Sequence, residues 1–206
     1  MHTSIFTEND KDQVFDLYDE VYDLKITDEW WDWRFNKFGN PIRYLMWDDK
    51  KLVGHYVLHP IPLKFENETI LGLQSMSILT HKSYQNKGII FPTLAKLAYE
   101  EALKQNYKII LGFPNSLSYR FCFEYLDWIK FSNIVEFNKN LECSDSISES
   151  YLLEIEKCEN FDFIEILWKE YNQNYPSCIS RISSFLKWRF QECPRTPFTN
   201  RPSFQY

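Results

Sequence analysis

The sequence predicts a mixed α+β domain, a sheet flanked by helices, followed by a helical C-terminal segment. Three observations carry this. Residues 71–128 run in the order strand, polar loop, amphipathic helix, strand, helix. Upstream, Tyr44–Trp47 and Leu52–His59 are apolar runs on either side of Asp48-Asp49-Lys50-Lys51, a hairpin. Downstream, a polar, Ser/Glu-rich stretch over 140–160 precedes Ile164, Leu167, Trp168 and Tyr171 at helical spacing. The expected boundaries are a domain over 1–140, a linker over 141–160 and a helical segment over 161–206.

Each element has a local reason. A short strand lies near Ile5. Val14, Leu17, Tyr18 and Val21 recur every three or four residues, so Asp10–Tyr22 is a helix with one apolar face. A second helix covers Trp30–Phe35, with Thr27 and Asp28 as caps. After the hairpin comes a strand ending near Thr80 and the loop Gln85-Asn86-Lys87-Gly88. Ile90, Leu94, Leu97 and Ala98 mark the following helix, and Ile109-Ile110-Leu111 a strand that leads to Asn115 and a further helix. A last strand is expected from Trp128 to Phe137.

Composition narrows the classes. A chain of 206 residues with 44% hydrophobic content builds one mixed domain plus an extra segment, or two small units. The net charge of −6 and the lack of basic runs speak against nucleic acid as a partner. Five cysteines, Cys122, Cys143, Cys158, Cys178 and Cys193, show no C-x-x-C spacing, so neither a metal site nor a disulfide framework is expected. The polar N-terminus lacks a signal-like apolar run and no stretch is long enough for a membrane span, so a cytoplasmic setting without membrane partners is expected.

The loop before Ile90 places unpaired backbone N–H groups at a helix start, where the helix dipole favours an anion such as a pyrophosphate. As an ordinary surface turn, the same loop needs Gly88 only for backbone freedom. The stretch resembles the acetyl-CoA-binding core of the Gcn5-related N-acetyltransferases. That family carries Arg or Gln, two residues, Gly, one residue, then Gly or Ala, between a strand and a helix. Gln85, Gly88 and Ile90 stand at those positions, and Lys87 matches the family's common Lys. Asn86, Ile90 and Asp127 depart from the family's Gly, small residue and Gly. The resemblance implies a mostly antiparallel, twisted central sheet that splays at the cofactor site. It also implies acetyl-CoA as acyl donor, a small-molecule amine as acceptor and no metal. Gln85, Asn86, Lys87, Gly88, Ile89 and Ile90 would hold the pyrophosphate. The strand around Ile78, Leu79 and Thr80 would meet the thioester, and Asn115 and Ser118 the pantetheine arm. Asn115 is equally a helix cap.

The family's general acid is a Tyr on the helix after that Asn. By offset, Cys122 or Phe123 stands there, so Tyr119, one turn earlier on the same face, is the candidate. For the base, His55, His59 and His81 are available, with Glu66 and Glu68. His55 and His59 share one strand face, expected to be solvated or hydrogen-bonded. Trp30, Trp33 and Arg34 lie on the helix that borders the acceptor site in the family's order, so they either stack an acceptor ring or pack in the core. The WRF, GHYVLHP, SMSILTH and GFPNS stretches are similar to a bacterial subgroup often encoded with surface-polysaccharide genes, which suggests an amino-sugar or nucleotide-sugar acceptor.

Two other classes stay open: a noncatalytic scaffold lobe of the same fold, and an aminoacyl transferase of the related tandem-lobed type. Phe185–Phe190 echoes Trp31–Phe35, each ahead of a proline. The echo predicts that residues from about 150 onward open a second related lobe and pack as helices on the first, with the final residues poorly ordered.

Overall fold

The computed structural model describes residues 1–131 and 162–194. Among them, six strands form one sheet in the order β1-β2-β3-β4-β5, with β6 also on β3. The strands are β1 (His2–Ile5), β2 (Ile42–Asp48), β3 (Lys51–Phe65), β4 (Glu68–Thr80), β5 (Ile110–Gly112) and β6 (Ser177–Ile179). All pairings are antiparallel except β4 with β5.

Helices cover both faces, so the central strands are buried on both sides. On one face lie α1 (Lys11–Tyr22) and α2 (Asp28–Trp31), where Val14, Leu17, Trp31 and Phe35 pack on Leu45, Val57 and Leu79. On the other lie α3 (Ile90–Lys104) and α4 (Ser116–Tyr125), where Ile90, Leu94 and Ala98 pack on Tyr56, Leu58 and Leu73. The Thr27 hydroxyl accepts from Trp30 N at 3.2 Å, the expected cap of α2.

β3 and β4 are longer than the apolar runs suggest, because β3 continues through Pro60 and Pro62. β2 pairs with β3 only as far as Leu58. Pro62 O accepts from Ser180 N at 2.8 Å, so the side of Pro62 that lacks an N–H faces the edge β2 has left, not β4. Prolines of that parity cost the β3–β4 ladder nothing.

Two expectations are corrected here. Residues 128–131 carry no strand, and 132–137 lie outside the described residues. The C-terminal segment is not helical throughout. It contains α5 (Asp162–Tyr171) and α6 (Ser183–Leu186) as expected, but β6 between them pairs with Leu63–Phe65 of β3 and joins the first domain's sheet. The bare end of β3 is the physical reason, since an unpaired strand edge recruits a partner. Lys64 fastens the join by donating to the carbonyls of Asn172 and Tyr175. The linker and the last residues of the chain lie outside the described residues.

The echoed sequences share a backbone. Asp32–Asn36 and Lys187–Gln191 are both π-helical turns, each running on from a four-residue helix, α2 or α6. They meet reciprocally: Trp33 Nε1 donates to Trp188 O, and Trp188 Nε1 donates to Trp33 O, both at 2.7 Å.

Candidate active site

At the loop expected to hold the cofactor, Lys82–Lys87 form a 3₁₀ turn in place of a tight loop. Gly88 follows in the left-handed region at φ +66°, which glycine adopts most readily. The Gln85 amide donates to Thr80 O at 3.1 Å and ties the turn to the end of β4. Ile89 supplies no side-chain cap to α3, so its first-turn amides take no cap from the N-cap residue; Pro92, in that turn, has no N–H to leave unsatisfied. The side chains of Asn86 and Lys87 lie outside the described residues. Ile90 is buried, and the space it takes is vacated by Gly54 on β3, where a Cβ would stand 2.3 Å from Ile90 Cγ2.

β4 parts from β5 beside this loop. Their pairing ends at Ser75–Gly112, while β4 continues to Thr80. There β4 also bulges: the register with β3 shifts between His55 and Val57, and Ser77 takes φ +51°. Helix α1 lies against the bulge, with the Tyr22 hydroxyl donating to Ile78 O at 3.4 Å. Ser77 is also the polar neighbour of the buried Tyr18 hydroxyl and of the His55 imidazole.

None of the expected histidine bases is an exposed base. His55 and His59 share a face, but α1, α2 and the second WRF turn bury it, so neither is solvated. Burial pushes His55 down to about 3 and His59 to about 4, so both are neutral near pH 7. His59 stacks on Trp188 at 5.3 Å. His81, also buried, accepts from Ser83 N through Nδ1, and its Nε2 meets Glu20 Oε1 at 3.0 Å. Glu66 and Glu68 sit at the β3–β4 turn, at the far end of the 13-residue strand β4 from Thr80. At about 3.3 Å per residue, that is about 40 Å away.

On α4, Asn115 is the helix cap: its Oδ1 accepts from Leu117 N at 3.1 Å and Ser118 N at 3.0 Å. Its side-chain NH₂ is what it can offer a ligand. Tyr119 is half-exposed and its ring lies 4.4 Å from that of Phe123, the same-face relation expected. Cys122 is buried and its thiol is pushed up to about 11. Trp33 is covered by Trp188, with 3% of its surface left, so its ring has no open face for an acceptor. Trp30 is half-buried against Tyr18 and Phe35.

Two features escaped the sequence reading. Asp16, Asp19, Glu20, Asp23 and Lys82 line an open groove of about 580 Å³ between α1 and the turn at Lys82–Lys87. The i, i+3, i+4 and i+7 spacing of the four acids was visible, but only the fold sets that stripe beside β4. The second is a row of hydroxyls at the parting of the strands. Tyr56 Oη lies 2.8 Å from Ser75 Oγ and 3.4 Å from Tyr99 Oη, which accepts from Trp128 Nε1 at 2.8 Å.

No three of His, Cys, Asp and Glu gather as a metal site among the described residues, and none of their helices is long and apolar enough to cross a membrane. Residues 3–125, more than half of the chain, match the family model described as an acetyltransferase (GNAT) domain. No curated protein matches the chain. Among solved structures, the aminoglycoside 6'-N-acetyltransferase AAC(6')-Ig of Acinetobacter haemolyticus is 14% identical, with 69% of this chain and 100% of that one covered and a TM-score of 0.50. AAC(6')-Ih of Acinetobacter baumannii is 13% identical over 68% and 99%, with a TM-score of 0.51. A Trypanosoma brucei acetyltransferase is 14% identical over 67% and 99%, with a TM-score of 0.52. At these identities the likeness is one of fold.

Proposed function

Because the chain belongs to the GNAT acetyltransferase family, we propose that it transfers an acetyl group from acetyl-CoA to the primary amine of a small molecule. One observation carries the reading: β4 parts from β5 and bulges beside a helix start that its N-cap residue, Ile89, leaves uncapped. The amides of Gln85–Ile90 hold the pyrophosphate. Ile78, Leu79 and Thr80 line the gap for the pantetheine arm and thioester, while Asn115 and Ser118 meet the arm from α4. Acetyl-CoA supplies the activated acyl carbon. The amine attacks it, the C–N bond forms, the C–S bond breaks, and CoA leaves as thiolate. Holding the two reactants in contact supplies much of the rate. Tyr119 protonates the thiolate. Glu20, in the groove and beside His81, takes the amine proton.

The groove's four carboxylates favour a cationic acceptor. Within the sugar class, this supports an amino sugar over an anionic nucleotide sugar, with Trp30 and Arg34 as its candidate border. The cytoplasm and polysaccharide assembly are the setting this reading implies. A noncatalytic scaffold lobe is the second reading, favoured by the buried Cys122 at the offset of the family's Tyr. Calorimetry with acetyl-CoA, followed by thiol release on a panel of amino sugars and simple amines, separates them. Binding with thiol release supports the enzyme, binding without turnover the scaffold, and no binding overturns both.

A further inference from the structure

The turn at Lys82–Lys87 is tied to three strands. His81 N donates to Val53 O on β3 at 3.0 Å, and the Gln85 amide donates to Thr80 O at the end of β4. Tyr84 reaches one strand further: its hydroxyl donates at 2.5 Å to Oδ2 of Asp48, the last residue of β2. A carboxylate has no proton to give, so the phenol is the donor and the bond is charge-assisted. The bond itself raises the Tyr84 phenol above its ordinary value, so the donor keeps its proton. Asp48 Oδ1 lies 4.0 Å from the Met1 ammonium, which can only donate and does not compete for the Tyr84 proton. The Tyr84 ring is held separately, edge-on to the His81 imidazole at 5.7 Å and against the core beneath α3.

The place of this bond along the chain is what gives it a use. Tyr84 immediately precedes Gln85, the first of the amides proposed to hold the pyrophosphate, and Ile90, the last, is buried over Gly54. That run of backbone is therefore pinned at one end to β2 and at the other to β3, with Gly88 turning between them at φ +66°. Asp48 is a firm anchor, because it stands on a strand, paired with Lys51 across a two-residue turn. A loop that a ligand must order on arrival binds more weakly than one ordered beforehand.

We infer that Tyr84 and Asp48 are positioning residues for the acyl donor, their hydrogen bond holding the amides that follow in the arrangement that receives the pyrophosphate. This rests on the acetyl-transfer reading and on the pyrophosphate sitting at this turn. The bond serves the nucleotide end of the donor and leaves the thioester end, at Ile78, Leu79 and Thr80, untouched.

The test compares two donors by calorimetry. S-acetylpantetheine carries the same thioester and arm as acetyl-CoA but no phosphate, and its affinity is read from how far it weakens an acetyl-CoA titration. Tyr84→Phe keeps the packed ring and removes only the hydroxyl. Acetyl-CoA binding should weaken about fivefold, within the range for one contact that must be ordered anew, while S-acetylpantetheine binding stays within about twofold of wild type. Asp48→Ala should give the same split, and the double variant should bind acetyl-CoA no worse than either single one, since one bond is lost in all three. Equal losses for the two donors would overturn the inference, because the bond then supports the fold in general. So would no loss for either donor, or losses that add in the double variant. Wild type that binds acetyl-CoA no more tightly than S-acetylpantetheine removes the pyrophosphate from the protein's grip and overturns the inference while leaving acetyl transfer standing. Wild type that binds neither overturns the acetyl-transfer reading as well.

Discussion

At Gly54 a Cβ would meet Ile90 Cγ2 at 2.3 Å and Leu94 Cδ1 at 3.1 Å. The family's small residue at position 90 is replaced by Ile, and the missing volume has been taken from the strand beneath. Gly54→Ala should therefore overpack the core and cost about 1–3 kcal/mol, read from urea melts. In an Ile90→Ala background, where Cγ2 is gone, the same Gly54→Ala change should cost less. Gly54→Ala as stable as wild type would show that the two positions are not coupled. Gly88 makes a different point. Among the described residues a Cβ there meets nothing nearer than Phe121 at 3.5 Å, so its φ of +66° is what constrains it, together with the anion in the role proposed above. Asp tolerates the left-handed region better than most residues. Gly88→Asp should keep the fold by circular dichroism yet weaken acetyl-CoA binding at least tenfold, about 1.4 kcal/mol, in calorimetry. Unchanged affinity would remove the pyrophosphate from this turn.

Among the elements, the two WRF turns are joined by self-complementary bonds, each indole N–H to the other's backbone carbonyl, with the rings stacked at 5.6 Å. Trp188→Phe keeps a ring but orphans the buried Trp33 carbonyl. It should cost about 1–3 kcal/mol and speed proteolytic cleavage between α5 and α6. Equal cleavage of variant and wild type would show that β6 and the Lys64 contacts hold the segment by themselves. The echo was legible because the residue types recur. The strand between α5 and α6 was not, since Ser177–Ile179 is too short for a period and pairs only because β2 ends before β3 does.

For the whole molecule, His55 and His59 set the response to acid. Unfolded, both titrate near pH 6.5; folded, they do so near about 3 and about 4. Between those values only the unfolded chain takes up the protons. Their contribution is therefore complete above about pH 6.5 and is lost as the pH falls, by about 1.4 kcal/mol per pH unit for each histidine. Against a total of about 5–15 kcal/mol, the midpoint of urea unfolding should drop steeply between pH 6.5 and 5. His59→Gln should flatten that slope by about half. A midpoint level across this range would show that the imidazoles are not held neutral by burial.

The order of strands and helices from β1 to α4, the cap on α2, the turn ahead of α3 and the shared face of His55 and His59 were legible in residue types and spacing alone. Periodicity reports which residues share a face, and capping and turn chemistry act within a few residues. What covers a face is not a local property. Only the fold put a second tryptophan over Trp33, buried the histidine face, carried Glu66 and Glu68 to the far end of β4 and opened the space for Ile90 at Gly54. The Ser77 bulge and the row from Trp128 to Ser75 are likewise tertiary. The members of that row lie 19 to 43 residues apart along the chain, beyond the reach of any local pattern.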